Sequence, residues 1–481
     1  MLGRQERWQE DLFVAGPLRD LIPDEHILKR VDRVLDLSWL RDEVRECYDE
    51  RQGRPGIDPQ AAVRLMLAGL FHGITSDRKL MREAQVNLAI RWFAGYRLPE
   101  RLPDHSSLTK LRQRWGAARF RRIFEQSVAA CAAAGLVAGE TAHLDATLIR
   151  ADVSWESLTA RHVARVWAEN EAADCDPPPD DAGGSRGRAP AQSPAKVKKW
   201  SPTDPDSTLT TSCKQYRMEP CYKQHTAVDD RAGVLVDVEV TTGEASEGQQ
   251  LPQQLARVEA QTGVPVQTLT ADGAYAHGRN YAYLEQRGTT AVIPPPTEPR
   301  TARRIPARRF KYDARQACVR CPAGKVLRRS ARNRQGWVYR ARAGACRTCP
   351  LRARCISPSA AARVIVIGDG HEALLRARRK RCRWGPTEHA LYARHRWRAE
   401  GVHGEAKTCH GLRRAARRGL WNVAIQVYLT AAVLNLKRLA AWCRALGVLG
   451  SYAVLGALCA APGRYPFPPR APVRPRVLRA A

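Results

Sequence analysis

The sequence predicts a mixed α/β protein. An all-helical N-terminal region comes first, then a mixed sheet flanked by helices and interrupted by a small cysteine-bearing insert. Three observations carry this expectation. Apolar residues recur at helical spacing through about the first 140 positions, and the period drops to two at Thr141. Strand-like segments then come as a hairpin and afterwards alternate with helical ones, the order of a sheet covered on both faces.

Within IDPQAAVRLMLAGLFHG, the residues Ala62, Leu65, Met66 and Leu70 share one helical face. Thr75 or Ser76 is placed to cap a further helix through SDRKLMREAQVNLAIRWFAG. His105, Ser106 and Ser107 lead into LTKLRQRWGAARFRRIFEQSVAACAAAG, a helix with one apolar and one basic face. Beyond Thr141, HLDATLIRADV puts Leu144, Ala146 and Leu148 on one strand face and Asp145 and Thr147 on the other. A helical piece is expected at Ser157 to Ala173, and the Pro-, Gly- and Ser-rich stretch 174–212 reads as a mobile loop. CYKQHTAVDD and VLVDVEVTTG flank a turn at Arg231 to Gly233 and form a hairpin. A helix near Gln249 to Thr262, the strand TLTADG, the helix AHGRNYAYLEQRG and the strand TAVIPPP follow. The chain thus divides into a helical domain (1–140), a sheet-bearing core (141–299), a cysteine-rich insert (300–370), a returning helical part of the core (371–445) and a Pro- and Arg-rich tail (446–481).

The 481 residues leave room for two or three domains. Lys and Arg number 79 against 48 Asp and Glu, a net charge of +31, and such a surplus favours a polyanionic partner. The basic residues also cluster, at Arg112, Arg114, Arg119, Arg121 and Arg122 and again at Arg413, Arg414, Arg417 and Arg418. MLGRQERWQEDLF carries charges where an export signal has its apolar core, so a cytoplasmic protein with reduced thiols is expected. The charge-free run from Ala445 to Gly463 is broken by Ser451 and Pro462 and reads as a tail segment, not a membrane span.

LYARHRWRAEGVHGEAK holds the most telling pattern. At about 100° per residue, Tyr392, Arg396, Glu400 and Lys407 fall at roughly 0°, 40°, 80° and 60° on a helix, one polar stripe, with Glu405 on the far side. A carboxylate aligned with Arg, Lys and Tyr suits a metal ion and a phosphate together. Asp145 and Asp272 stand alone in apolar, strand-like surroundings far upstream, and three acids from three distant segments suit a two-metal phosphodiester site. Lys223 and His225, on a strand expected beside Asp145, read better as backbone-bonded residues than as phosphate ligands; Asp229 serves the turn, and Glu247 caps a helix.

The cysteines make a second constellation. Cys318-x2-Cys321 and Cys346-x2-Cys349 are separated by 24 residues, with Cys355 close behind, which suits a structural zinc clamped between two turns.

The order Asp145 (LDATLIRAD), Asp272 (TADGAY) and Glu400, with Tyr392, Arg396 and Lys407 around it, resembles the DDE transposases of bacterial insertion sequences. GRPGIDPQAAVRLMLAGLFHGITSDRKLMREAQVNLAIRWFAGY and LPDHSSLTKLRQR resemble the helical domain that precedes the catalytic core in one large branch, so the likeness runs from about Arg54 to Leu439. That family's third-acid signature has two residues between Tyr and Arg, three between Arg and Glu, and six between Glu and Lys. Arg396, Glu400 and Lys407 keep the spacing, while Tyr392 stands one residue too far from Arg396, with Ala393 in the expected slot.

The resemblance implies an RNase H-like core in which Asp145, Asp272 and Glu400 bind two magnesium ions, with manganese as a substitute. One ion would activate water or the freed 3′-hydroxyl and the other would steady the leaving oxygen. Arg396 and Lys407 would hold DNA phosphates and Tyr392 would pack on the same backbone, while Arg112, Arg114 and Arg119 are candidates for DNA contacts from the helical domain. The implied partners are double-stranded DNA (terminal inverted repeats and target) and a second copy of the chain, a homodimer on DNA associated with the nucleoid. Two other readings stay open: a transposase-derived DNA-binding regulator without catalysis, and a metal-dependent nuclease without joining activity.

Overall fold

The computed structural model describes residues 16–49, 56–154, 159–160, 199–210, 218–296, 304–333 and 336–445. Of the helix expected at 157–173 only Thr159–Ala160 is described, and it is a strand, not a helix; most of the 174–212 loop and the 446–481 tail lie outside the described residues. Two compact units emerge: Met1–Val137 with Leu148–Tyr222 and Gly404–Ala481, and Ala138–Thr147 with Lys223–His403.

The first unit is largely helical. Asp58 caps the Pro59–Phe71 helix through the N–H groups of Gln60 and Ala61, and Ser76 caps Asp77–Val86. The single helix expected through SDRKLMREAQVNLAIRWFAG is two. Asn87 leaves helical geometry and its side chain accepts from Ile90 N–H at 3.1 Å, starting Leu88–Ala94; Asn favours that capping role over a helix interior. The long helix His105–Ala133 bends at Gly116, whose φ is +71°. The closing helix Leu420–Ala445 packs along it, with Asn435 Nδ2 donating to Ser127 Oγ at 3.2 Å. Leu420–Ala445 is long and apolar enough to span a bilayer, but 89% of its most apolar window is buried, so it reads as a core helix. Glu405, expected off the polar stripe, pairs with Lys437 on this helix.

Arg112 requires a correction. Its guanidinium is buried, not laid on a basic DNA-facing surface, and it grips Asp77 through two bonds of 2.7 and 2.9 Å, with Arg417 completing the cluster. Part of the expected mobile loop is also structured. In 199–210, Ser201, Asp204 and Ser207 are buried, and Tyr222 donates its hydroxyl to Asp204.

The strands are β1 (Thr141–Arg150), β2 (Thr159–Ala160), β3 (Lys199–Trp200), β4 (Thr208–Thr210), β5 (Glu219–Asp229), β6 (Leu235–Thr242), β7 (Thr268–Ala271) and β8 (Thr290–Val292). β2 and β3 form a separate ribbon, and β4 pairs with the start of β5. The second unit holds the sheet in the order β6-β5-β1-β7-β8. β5 and β6 are the expected hairpin, with Asp229 accepting from Gly139 N–H and Arg231 N–H in its turn. β1, β7 and β8 run parallel, connected through the helices Glu247–Thr262 and Gly278–Gln286. Ala142, Leu144, Val236, Val238, Leu251, Leu255, Leu269 and Ala271 form its core, each 4% exposed or less.

Gly139 enters β1 with φ +79°, and a Cβ there would lie 2.8 Å from Val264 Cβ. Gly139→Ala is expected to cost about 2–4 kcal/mol, from left-handed strain plus overpacking, measured as a lower denaturant midpoint than wild type.

The cysteine-bearing insert, for which the sequence assigned no elements, contains a sheet of its own. It folds as a five-stranded antiparallel sheet in the order β13-β12-β11-β10-β9, where β9 is Lys311–Asp313, β10 Cys318–Arg320, β11 Val326–Asn333, β12 Gly336–Arg340 and β13 Val364–Ile367. Phe310, Val319, Leu327, Tyr339, Ile365 and Ile367 make its own small core.

Candidate active site

The register of β1 against β7 decides the geometry. Leu144 lies opposite Ala271 as the last paired position, and the next residue on each strand is an aspartate: Asp145 and Asp272. Neighbouring strands are about 4.8 Å apart, so two carboxylates start from adjacent backbone points. Their surroundings push them in opposite directions. Burial raises the Asp272 carboxyl above its ordinary range and the Asp145 charge adds to this, against the N–H of Ala274, which donates to Asp272 Oδ1 at 2.9 Å. Asp145 also feels burial, but the hydrogen bond and charge of His403, together with the Ala146 N–H at 2.8 Å, bring it below the usual range. His403 Nδ1 lies 3.4 Å from Asp145 Oδ2, and its Nε2 is fixed by Thr226 Oγ1 at 3.1 Å.

A third acid stands close by. Glu247 opens the Glu247–Thr262 helix, and burial pushes its carboxyl up, with the charges of Asp272 and Asp145 adding and Lys223 opposing. Lys223 donates to Ala245 O at 2.8 Å and lies 3.2 Å from Glu247. Lys223 is therefore bonded to the backbone, as the sequence suggested, yet it also balances charge among these acids. The Tyr275 hydroxyl is buried without a partner, and its phenol is pushed well above the ordinary value by burial and by Glu247, Asp145 and Asp272. Crowded, mutually repelling carboxylates are what a hard divalent cation relieves, and oxygen donors are what magnesium takes.

A row of buried imidazoles backs β1. His143 bonds Thr270 Oγ1 at 2.5 Å and Asp230 at 2.9 Å, and Thr270 Oγ1 lies 3.2 Å from His395 Nδ1. Burial pushes His395 down to about 4, so this ring is neutral at neutral pH. His225 turns to Thr241 Oγ1 at 2.9 Å.

The helix bearing Glu400 is not a straight α-helix. Pro386–His395 and Gly401–Cys409 are joined by a π-helical turn over Arg396–Glu400. An i→i+5 turn holds one residue more than an α turn; it lies between Arg396 and Glu400, while the extra residue between Tyr392 and Arg396 falls in the regular helix before it. Glu400 does not join the aspartates: its side chain is 63% exposed and pairs with Arg396, 3.2 Å away. Among the described residues, no three His, Cys, Asp or Glu side chains are grouped as a ready set of metal ligands. Tyr392 links the two halves, for its phenol is raised by burial, by Asp272 and, less, by Glu400 and Asp145. Its ring lies 5.7 Å from Trp384 and stacks on His395 at 6.0 Å.

A model of a transposase domain (DUF772) matches residues 16–114, and a model of a transposase DDE domain matches residues 320–440. The chain belongs to the DDE transposases. The second match takes in Tyr392, Arg396, Glu400 and Lys407, while Asp145 and Asp272 lie between the two matches. No curated protein matches the chain. A solved piggyBac transposase synaptic complex with hairpin DNA is 11% identical, covering 92% of this chain and 86% of that one, at a TM-score of 0.30, too low to bear on the site.

The transposase places its other expected residues unevenly. Arg396 is 79% exposed, free of burial and close to Glu400. Lys407 is half-buried on Gly401–Cys409, where its charge reaches Cys221. Arg114 is exposed, its guanidinium 4.9 Å over the Tyr48 ring. Arg119 is half-buried and ties the long helix to Glu43 O and Glu46. Cys318, Cys321, Cys346, Cys349 and Cys355 are all free thiols. Three residues near the acids were missed by spacing alone. His403 gave no signal beyond its type; Glu247, expected as a helix cap, is instead the first residue of the helix, after Ser246. Trp397, 82% exposed between Arg396 and Glu400, lies off the stripe at about 140° on a straight helix, so the stripe pattern passed over it.

Proposed function

We propose that this transposase cuts DNA at the ends of its own insertion sequence and joins the freed 3′-hydroxyl to target DNA, using Asp145, Asp272 and Glu400 to hold two magnesium or manganese ions. The observation that carries the reading is the register of β1 and β7, which starts Asp145 and Asp272 side by side. The ions would supply an activated attacking oxygen and a stabilised leaving oxygen. His403 would hold the Asp145 carboxylate in one orientation, and Lys223 would hold Glu247 beside Asp272. Glu400 would complete the set by leaving Arg396, whose guanidinium then forks onto a DNA phosphate. The order β6-β5-β1-β7-β8, an antiparallel hairpin followed by parallel strands, supports an RNase H-like core. The net charge of +31 supports a DNA partner, and two ends held at once call for a homodimer on DNA, in the cytoplasm with the nucleoid.

The test supplies pre-cleaved transposon ends, a target plasmid and magnesium to the full-length protein. Strand transfer that stops with chelator and returns with magnesium or manganese is the expected result. Hydrolysis without joining would make it a nuclease, and binding with neither reaction would make it a regulator; either outcome overturns the proposal.

A further inference from the structure

The fold of the insert separates its five cysteines into four and one. Cys321 begins a tight turn, CPAGK, after β10. Gly324 donates to Cys321 O at 2.9 Å with φ +76°, Cys321 N–H donates to Lys325 O at 2.8 Å, and Lys325 N–H points at Cys321 Sγ at 3.3 Å. A backbone N–H aimed at sulfur orients it, the support a metal-bound cysteine receives from its surroundings. On the other side, Cys346 lies in the short helix Ala343–Arg347, Cys349 N–H donates to Cys346 O at 3.4 Å, and Cys355 ends the turn Arg352–Cys355. Arg352 and Arg363 hold that segment by donating to Cys346 O at 3.4 Å and Cys355 O at 2.8 Å.

Cys321, Cys346 and Cys355 pack against the same small apolar core. Cys349 is tied to Cys346 by its N–H, so the four cysteines share one neighbourhood. Cys318 does not belong to it. It is 6% exposed and turns its Sγ toward Gln316 Oε1, 3.8 Å away.

We infer that Cys321, Cys346, Cys349 and Cys355 bind one structural zinc ion that joins the CPAGK turn to the Cys346–Cys355 segment, and that Cys318 takes no part. Four thiolates close a tetrahedron and leave no position for substrate, so the ion holds structure and does no chemistry on DNA. The thiols are near one another without being gathered as finished ligands, so binding draws the two turns together. Arg352 and Arg363 stand where they offset the negative charge of a tetrathiolate centre. The insert has a small core, and an ion bound only by the folded state would add its binding free energy to folding.

The test reads metal, not transposition, so it stands or falls separately from the proposed DNA chemistry. Full-length protein is purified from zinc-supplemented medium, dialysed and assayed for zinc by mass spectrometry. Wild type and Cys318→Ser should each hold about one zinc per chain, while Cys321→Ser and Cys349→Ser should fall at least tenfold below that. Cobalt titrated into the metal-free wild-type protein should give the intense visible bands of tetrahedral thiolate coordination, a readout that serves if a serine variant fails to fold. Wild type holding no zinc and giving no such bands would overturn the proposal, as would Cys318→Ser losing zinc as fully as Cys321→Ser.

Discussion

Asp145→Asn and Asp272→Asn are each expected to slow end cleavage and strand transfer about a thousandfold or more, on the order of 4 kcal/mol in the barrier. Asn keeps the shape of Asp and removes its charge, so the variants separate chemistry from folding. Asp272 is raised above its ordinary range in the folded chain, which means its ionised form is disfavoured there by burial and by Asp145. Neutralising it should therefore leave stability unchanged or higher at neutral pH. Asp145 is lowered through His403, so its neutralisation should cost some stability above the unfolded carboxyl range. Combining the two changes should add little further loss of rate, because groups that hold one ion act as a unit. Labelled ends followed by gel, alongside thermal denaturation, measure both effects. A near-normal rate in either single variant would remove the two aspartates from the chemistry.

Arg112→Ala is expected to cost about 3–5 kcal/mol, because it strands a buried carboxylate. Asp77 and Arg112 are only 8% and 7% exposed at their side chains, and two short bonds join them. Arg417 limits the loss without replacing the fork. Arg114→Ala, on the same helix but exposed, should shift stability by less than about 1 kcal/mol. Replacing Asp77 and Arg112 together by Leu and Met should recover much of the loss, since the cost lies in the unpaired charge. Denaturant midpoints of the full chain distinguish these outcomes. If Arg112→Ala instead weakened only DNA binding and left the midpoint alone, the buried ion pair would not be structural.

The contrast between these two sites shows what the sequence could reveal. The hairpin, β7 and the two aspartates were legible because strand alternation and lone acids in apolar segments are local patterns. The role of Arg112 was not, because its partner Asp77 lies 35 positions upstream and only the fold joins them. The break at Asn87 was hidden by apolar periodicity that continues across it. The insert's sheet was hidden for a different reason. β11 buries only Leu327, so its eight residues show no alternation. Its order comes from pairing with β10 and β12, which no single segment displays. The stripe of Tyr392, Arg396 and Glu400 was found by assuming a straight helix. The widened turn at Arg396–Glu400 changes the winding beneath them, and the exposed, Arg-paired Glu400 depends on side-chain placement that spacing does not contain.

The pairing of Leu144 with Ala271 has a consequence for how the protein can fail. Side chains alternate sides along a strand, so a slip of β7 by one step would carry Asp272 to the opposite side from Asp145 while the ladder of backbone bonds re-formed. What forbids that slip is apolar packing on one face and, on the other, the bonds of buried Thr270 to His143 and His395. Leu269 and Ala271, both 0% exposed, would be driven out of the interior with it. The greasy residues behind the sheet are thus among the guardians of its acidic edge, and damage to them would be felt first as two charges out of step.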